Sequence, residues 1–257
     1  MNPPKQAAIA VQGVTKHYGD VVALEGVDIA VERGEVVAIL GPSGCGKSTL
    51  LKIVAGLYPA TSGRIDILGR PVDGPSPSTG LMFQAPVLFP WLTVIDNVLL
   101  PIRVRRGAVQ AARQRALDLL EFVGLTEFAT SYPWQLSGGM QQRTAMCRML
   151  IGEPSVLLLD EPFGAIDAMN REYLDVEVRS IINRTESTAV FVTHSVSEAI
   201  LVSDRVVVLS PRPGRVDGEV PVRLGSARSK EMLASPDLLD HVRTVRQLLD
   251  RQDVTIQ

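Results

Sequence analysis

The chain has 257 residues and a formal net charge of −2, long enough to bury a full core in one large or two small domains. That charge balance excludes the strongly basic stripe of a nucleic-acid grip, so no nucleic-acid partner is expected. Two cysteines, Cys45 and Cys147, exclude a disulfide framework, and no Cys/His spacing reads as a zinc site, which points to a reducing compartment.

Met1 to Gln6 lack the apolar stretch of a signal peptide, and no run reaches the length of a membrane span. Any membrane role is therefore expected to come through a partner. The runs Ala7 to Val11 and Val27 to Val31 predict an antiparallel edge. Between them, Tyr18 is read as an aromatic on a polar loop, where it either stacks on a flat purine or packs half-buried on the sheet. The strand Val36 to Leu40 leads into Gly41, Pro42, Ser43, Gly44, Cys45, Gly46, Lys47, Ser48 and Thr49, a full match to G-x-x-x-x-G-K-[ST], and a helix is predicted from Lys47 to Ala55. Glycines let the backbone wrap phosphate oxygens, successive N–H groups form an anion nest, and the helix points its positive end at the same charge. The stretch predicts a nucleoside triphosphate site, with Lys47 reaching the β- and γ-phosphates, Ser48 ligating Mg²⁺ and Thr49 touching the α-phosphate.

Further on, Thr79 to Gln84 reads as a short strand ending on Gln84. The apolar stretch Ala85 to Leu92, broken by Pro86 and Pro90, is either tucked into a junction or offered to a partner. Helical periodicity from Val94 to Val104 and from Ala108 to Phe122 marks a helical block inserted into a strand-rich core. Ser137 is a good N-cap for the next helix, and Gly138 and Gly139 free N–H groups for a second anion site, although Ser-Gly-Gly before a helix also serves as a plain cap and turn. The apolar strand Val156 to Leu159 presents Asp160, placed to help hold Mg²⁺ directly or through water, and Glu161, placed to take the proton of an attacking water. After the helix Ala168 to Ile182, the strand Thr188 to Val192 ends at His194, at the edge where a hydrogen bond to the γ-phosphate is available. Arg205 to Leu209 and Arg215 to Val220 close the sheet. The tail from Ser229 to Asp250 carries Leu238, Val242, Val245 and Leu249 on one helical face, a docking helix.

Over almost the whole chain, the order of a phosphate loop, Gln84, Leu136-Ser137-Gly138-Gly139, a strand ending Asp160-Glu161 and a strand ending in His194 resembles the nucleotide-binding subunit of an ABC transporter. The resemblance implies an α/β fold, a P-loop NTPase (RecA-like) core with an antiparallel β edge and an inserted α-helical subdomain. Residues 1–84 and 151–224 would form the core, 85–150 the helical insert with the signature motif, and 225–257 a helical tail. It implies that Tyr18 stacks on adenine, that Gly41 to Thr49 is the Walker A loop with Lys47 acting in catalysis, and that Gln84 senses Mg²⁺ and the attacking water. Asp160 and Glu161 become Walker B and the general base, Asp167 part of the D-loop and His194 the switch histidine. Ser137, Gly138 and Gly139 of one protomer would close over the γ-phosphate held by its partner, giving a homodimer with two ATP at the interface.

Met140, the segment Gly164-Ala165-Ile166-Asp167 and Ser195 depart from the commonest family pattern without removing a phosphate-contacting group. With Phe89 to Val98, Met140 and Thr193-His194-Ser195 resemble the nitrate, sulfonate and taurine branch of bacterial importers. That branch implies a permease facing the Gln84 to Trp91 region, an external substrate-binding protein, and a peripheral place on the cytoplasmic face of the inner membrane. The lack of a large carboxyl-terminal domain after about Leu224 fits the same branch. A soluble ATPase of the same superfamily, acting in protein or cofactor assembly, is the alternative. A small-molecule kinase would leave Ser137 to Met140 unexplained.

Overall fold

The structure, a computed structural model, describes residues 7–164, 166, 168–225 and 227–254, with backbone alone at 168–170 and 251–254. Met1 to Gln6, read above as free of a signal peptide, lie outside the described residues.

Two twelve-residue strands, β1 (Ala7–Tyr18) and β2 (Val21–Glu32), pair antiparallel. They are longer than the two apolar runs suggest, because the ladder passes through irregularities instead of ending at them. At those irregularities Gly13 and Gly26 adopt φ of 58° and 59°, and their N–H groups donate to Asp28 Oδ1 at 2.7 Å and Thr15 Oγ1 at 3.0 Å. Tyr18 is consequently the last residue of β1, not a loop residue. After β3 (Val36–Leu40), α1 (Lys47–Val54), β4 (Ser62–Ile67) and β5 (Arg70–Pro71), the first sheet is complete in the order β2-β1-β4-β5.

The chain then runs through β6 (Thr79–Met82), the helical block α2 (Val94–Val104), α3 (Val109–Phe122) and α4 (Gly138–Leu150), and returns as β7 (Val156–Asp160). β6 stops two residues short of Gln84, which lies beyond the strand end. α5 (Ala168–Thr185), β8 (Thr188–Val192), α6 (Val196–Val202), β9 (Arg205–Leu209), β10 (Val216–Pro221) and α7 (Pro236–Val254) follow.

The second sheet has the order β10-β9-β3-β8-β7-β6, parallel except for the antiparallel β10. Every residue of β3, β7 and β8 is buried, which explains their unbroken apolar sequence: both faces of a parallel sheet are covered. One core joins this sheet to the first sheet through α1, a second joins it to the helical block, and a third forms under α6 and α7. In the third, Leu238, Val242 and Val245 of α7 are buried. The carboxyl ends of β3, β7 and β8 lie side by side, which gathers one loop from each at a single edge.

Candidate nucleotide site

The loop after β3 begins and ends on glycines with no room for a side chain. A Cβ at Gly41 would lie 2.8 Å from both Cys45 Sγ and Leu209 O, and one at Gly46 2.6 Å from Leu24 Cδ2. Gly46 is also the N-cap of α1, at φ 105° and ψ 5°. Lys47, the first residue of that helix, is buried, and its Nζ donates to Gly41 O at 2.8 Å and Pro42 O at 2.9 Å, arching the side chain back across the loop. Pro42 carries no N–H, so its share in the loop is this carbonyl and its shape. The Cys45 thiol is buried against the loop; burial pushes its pKa up, while the Lys47 cation pulls the other way.

Ser48 Oγ donates to Asp160 Oδ1 at 2.8 Å. Burial raises the Asp160 carboxyl above its ordinary range, and the Ser48 hydrogen bond works against that rise. One residue on, Glu161 turns back at φ 44°, and its Oε2 is a meeting point: Gln84 Nε2 donates to it at 3.1 Å and His194 Nδ1 lies 3.4 Å away. Gln84 is itself placed from the helical block, where Gln142 Nε2 of α4 donates to its carbonyl at 2.6 Å. His194 is bracketed by Thr193 Oγ1, which accepts from Ser195 N at 3.0 Å and donates to Glu198.

A cavity of about 450 Å³ lies between the phosphate loop and Glu161, lined by Tyr18, Ser43, Gly44, Gly46, Lys47, Ser48, Thr49 and Glu161, and also by Val21, Ala23 and Arg212. Two other clefts, around Tyr58 and around Ser76, lie away from this chemistry. A model of the ABC transporter family matches residues 24–164. The chain belongs to the ABC transporter family.

Among curated relatives, this cassette is 42% identical to the aliphatic sulfonates import ATP-binding protein SsuB 2 of Burkholderia lata, over 99% of this chain and 96% of that protein. It is 44% identical to the taurine import ATP-binding protein TauB of Rhizobium johnstonii, over 90% of this chain and 91% of that protein. Among solved structures, the dimeric structure of MJ0796, a bacterial ABC transporter cassette, superposes with a TM-score of 0.76 at 35% identity, covering 84% of this chain and 100% of that one. The fold is thus the P-loop NTPase fold of an ABC cassette.

Not every expected residue joins the cavity. Gly41, Pro42, Cys45, Gln84, Asp160 and His194 stand behind its lining, and Ser137, Gly138 and Gly139 do not line it either; Ser137 caps α4, its side chain accepting from Met140 N at 3.3 Å. Asp167 lies outside the described residues. Gln84 donates to Glu161 through its amide nitrogen, and Ser48 is the side chain that donates to Asp160. Sequence reasoning missed Arg212, Thr193 and Glu198. The only signal for Arg212 was its place in the turn Pro211-Arg212-Pro213-Gly214-Arg215 directly after a buried strand.

Proposed function

We propose that this cassette is the ATP-hydrolysing subunit of a bacterial importer, coupling ATP binding and hydrolysis to uptake of a small solute of the sulfonate, taurine or nitrate class. The observation that carries the reading is the convergence of Gln84 and His194 on one oxygen of Glu161, a residue that lines the cavity of the phosphate loop together with Ser48, the partner of Asp160. Loop N–H groups and Lys47 bind and orient the triphosphate. Glu161 accepts the proton of the attacking water, with Gln84 and His194 holding its carboxylate in place.

Ser48 and Asp160 offer a hydroxyl and a carboxylate oxygen 2.8 Å apart, a hard-oxygen pair suited to Mg²⁺, which keeps waters and phosphate oxygens as its other ligands. When bound, Mg²⁺ neutralises charge on the phosphates. Tyr18 stacks on adenine at the mouth of the cavity. Ser137 to Gly139 serve the nucleotide of a second copy, which accounts for their absence from the cavity of their own chain and agrees with the dimeric state of the solved relative. Asp167 belongs to the same dimer contact.

The permease contacts the Gln84 to Trp91 region, an external binding protein delivers the solute, and the cassette sits peripherally on the cytoplasmic face of the inner membrane. In this reading the core spans 1–84 and 151–224, the helical insert 85–150 and the tail 225–257. The importer reading is preferred to the assembly-factor one because the relatives are named import proteins and Trp91 is held out into solvent.

Glu161→Gln tests the assignment. The variant is expected to bind Mg-ATP like the parent, to lose at least about 100-fold in turnover, as removal of a general base does, and to accumulate as an ATP-bound dimer by light scattering. Turnover at the parent rate would remove Glu161 as the base.

A further inference from the structure

The turn Ser210 to Arg215, between β9 and β10, is seated on the phosphate loop without a gap. A Cβ at Gly214 would fall 2.1 Å from Cys45 O and 3.1 Å from Leu24 Cδ2. Backbone bonds stitch the turn to β2, Gly214 N donating to Ala23 O at 3.1 Å and Glu25 N to Gly214 O at 3.0 Å. Ser210 Oγ closes it from within, accepting from Arg215 N at 3.0 Å and donating to Pro213 O at 2.9 Å. None of these bonds uses the side chain of Arg212. That guanidinium is exposed, lines the same cavity as Lys47, Ser48 and Thr49, and donates from Nε at 3.3 Å and Nη2 at 3.1 Å to the carbonyl of Gly44.

We propose that Arg212 is a positioning residue for the bound triphosphate, acting through the Gly44–Cys45 peptide of the loop. The inference rests on the assignment of the nucleotide to Gly41–Thr49. In a trans peptide the carbonyl and the following N–H point to opposite sides. Holding Gly44 O on the guanidinium therefore fixes the Cys45 N–H on the opposite side of the peptide, where it donates to Pro42 O at 3.3 Å and sets the curvature of the loop. The contact also neutralises a partial negative charge that would otherwise face an anion, and adds a full positive charge to the cavity wall. Arginine suits the position because its two forked donors hold one carbonyl in a fixed direction, which a lysine ammonium does not do.

The test measures binding of fluorescent ATP and ADP analogues with Mg²⁺ to the full chain, in wild type, Arg212→Ala, Arg212→Lys and Arg215→Ala, with melting temperatures alongside. Arg212→Ala is expected to raise Kd for both nucleotides about tenfold, the scale of one charge-assisted hydrogen bond, with Arg212→Lys in between. In steady-state turnover the loss should fall on KM, with kcat within about twofold, as for binding energy shared by ground and transition states. Arg215→Ala, which removes the neighbouring arginine that pairs with Glu25 at 2.7 Å, should bind both nucleotides like the parent. Parent-like binding by Arg212→Ala overturns the inference, and if that variant melts early, parent-like binding by Arg212→Lys does so in its place. A wild-type chain that bound no nucleotide would instead remove the site assignment on which the inference stands.

Discussion

Glu161 combines two local costs that a residue chosen for stability would avoid. Its backbone is left-handed at φ 44°, a conformation that costs a side-chain-bearing residue about 1–2 kcal/mol. Its charge adds to the factors holding the neighbouring Asp160 carboxyl above its ordinary range. It is also only partly buried, with its Oε2 held between Gln84 and His194. Strain of this kind is retained where it aims a reactive group, and here the turn carries the carboxylate off the end of β7 to face the loops from β6 and β8. Glu161→Gly should release both the strain and the repulsion. After the greater chain entropy of glycine is set against this, the gain is about 1 kcal/mol, or roughly 2 °C in Tm for a chain of this size, while ATP turnover is lost. Calorimetry of the two proteins without nucleotide would decide it; a lower Tm for the glycine variant would mean that the Gln84 and His194 contacts outweigh the strain.

At the scale of elements, α5 and α6 meet through a buried acid pair. Asp175 of α5 and Glu198 of α6 are both buried and face one another, with Arg171 and Glu172 on the α5 side and Thr193 and His194 on the other. Burial is the first cause that raises both carboxyls, Asp175 to about 9, and the neighbouring Glu198 adds to the rise at Asp175. The folded state therefore binds more protons than the unfolded chain between the ordinary carboxylate pKa of about 4 and a pH of about 9. Stability from the neutral acid is fully present below pH 4 and is lost as pH rises through about 9. Asp175→Asn keeps a neutral polar group of the same shape, so its Tm should fall less than that of wild type between pH 7 and 9.5; parallel melting curves across that range would show that the pair holds no proton. Nothing in sequence periodicity announces this pair, because Asp175 and Glu198 become neighbours only when two helices pack. The same distinction runs through the whole cassette. The buried strands β3, β7 and β8 were legible as apolar runs ending on Gly41, Asp160-Glu161 and Thr193-His194, since burial on both faces leaves a continuous signature in the chain. The extent of β1 and β2 was not, because bulges at Gly13 and Gly26 interrupt the pattern while the pairing continues. Arg212 escaped notice for a third reason: its partner is a backbone carbonyl 168 residues away, and a carbonyl leaves no mark in a sequence.

For the molecule as a whole, the segment after Gln84 is the one proposed above to meet the permease, and its construction separates shape from contact. One buried amide shapes it. Asn97 is fully buried, and its Oδ1 accepts from Phe89 N at 2.8 Å while its Nδ2 donates to the carbonyls of Phe89, Leu92 and Thr93 at 3.0–3.1 Å. Arg148 of α4 grips the other end, donating to Val87 O and Pro86 O at 2.7 Å each, where Val87 is held at φ 43°, an unusual conformation for a β-branched residue. On this base Trp91 is 69% exposed and packs edge-to-face with Phe89, at 5.4 Å between ring centroids. A large aromatic kept outside by so many inward hydrogen bonds contributes little to folding, and its exposure is suited to a partner's apolar surface. Trp91→Ala should therefore leave Tm and ATP affinity within about 0.5 kcal/mol of wild type, the range of a surface change, while the permease no longer co-purifies with the tagged cassette from solubilised membranes. Asn97→Ala removes the shape itself, leaving Phe89 N and Leu92 O without the side-chain partner while Phe89 O and Thr93 O keep their backbone donors, at a cost of about 1–3 kcal/mol, so it should lower Tm as well as permease recovery. The pair of variants separates the two roles: a fall in Tm for Trp91→Ala comparable to that for Asn97→Ala would make Trp91 part of the fold, and undiminished permease recovery with either variant would place the membrane contact elsewhere on the cassette.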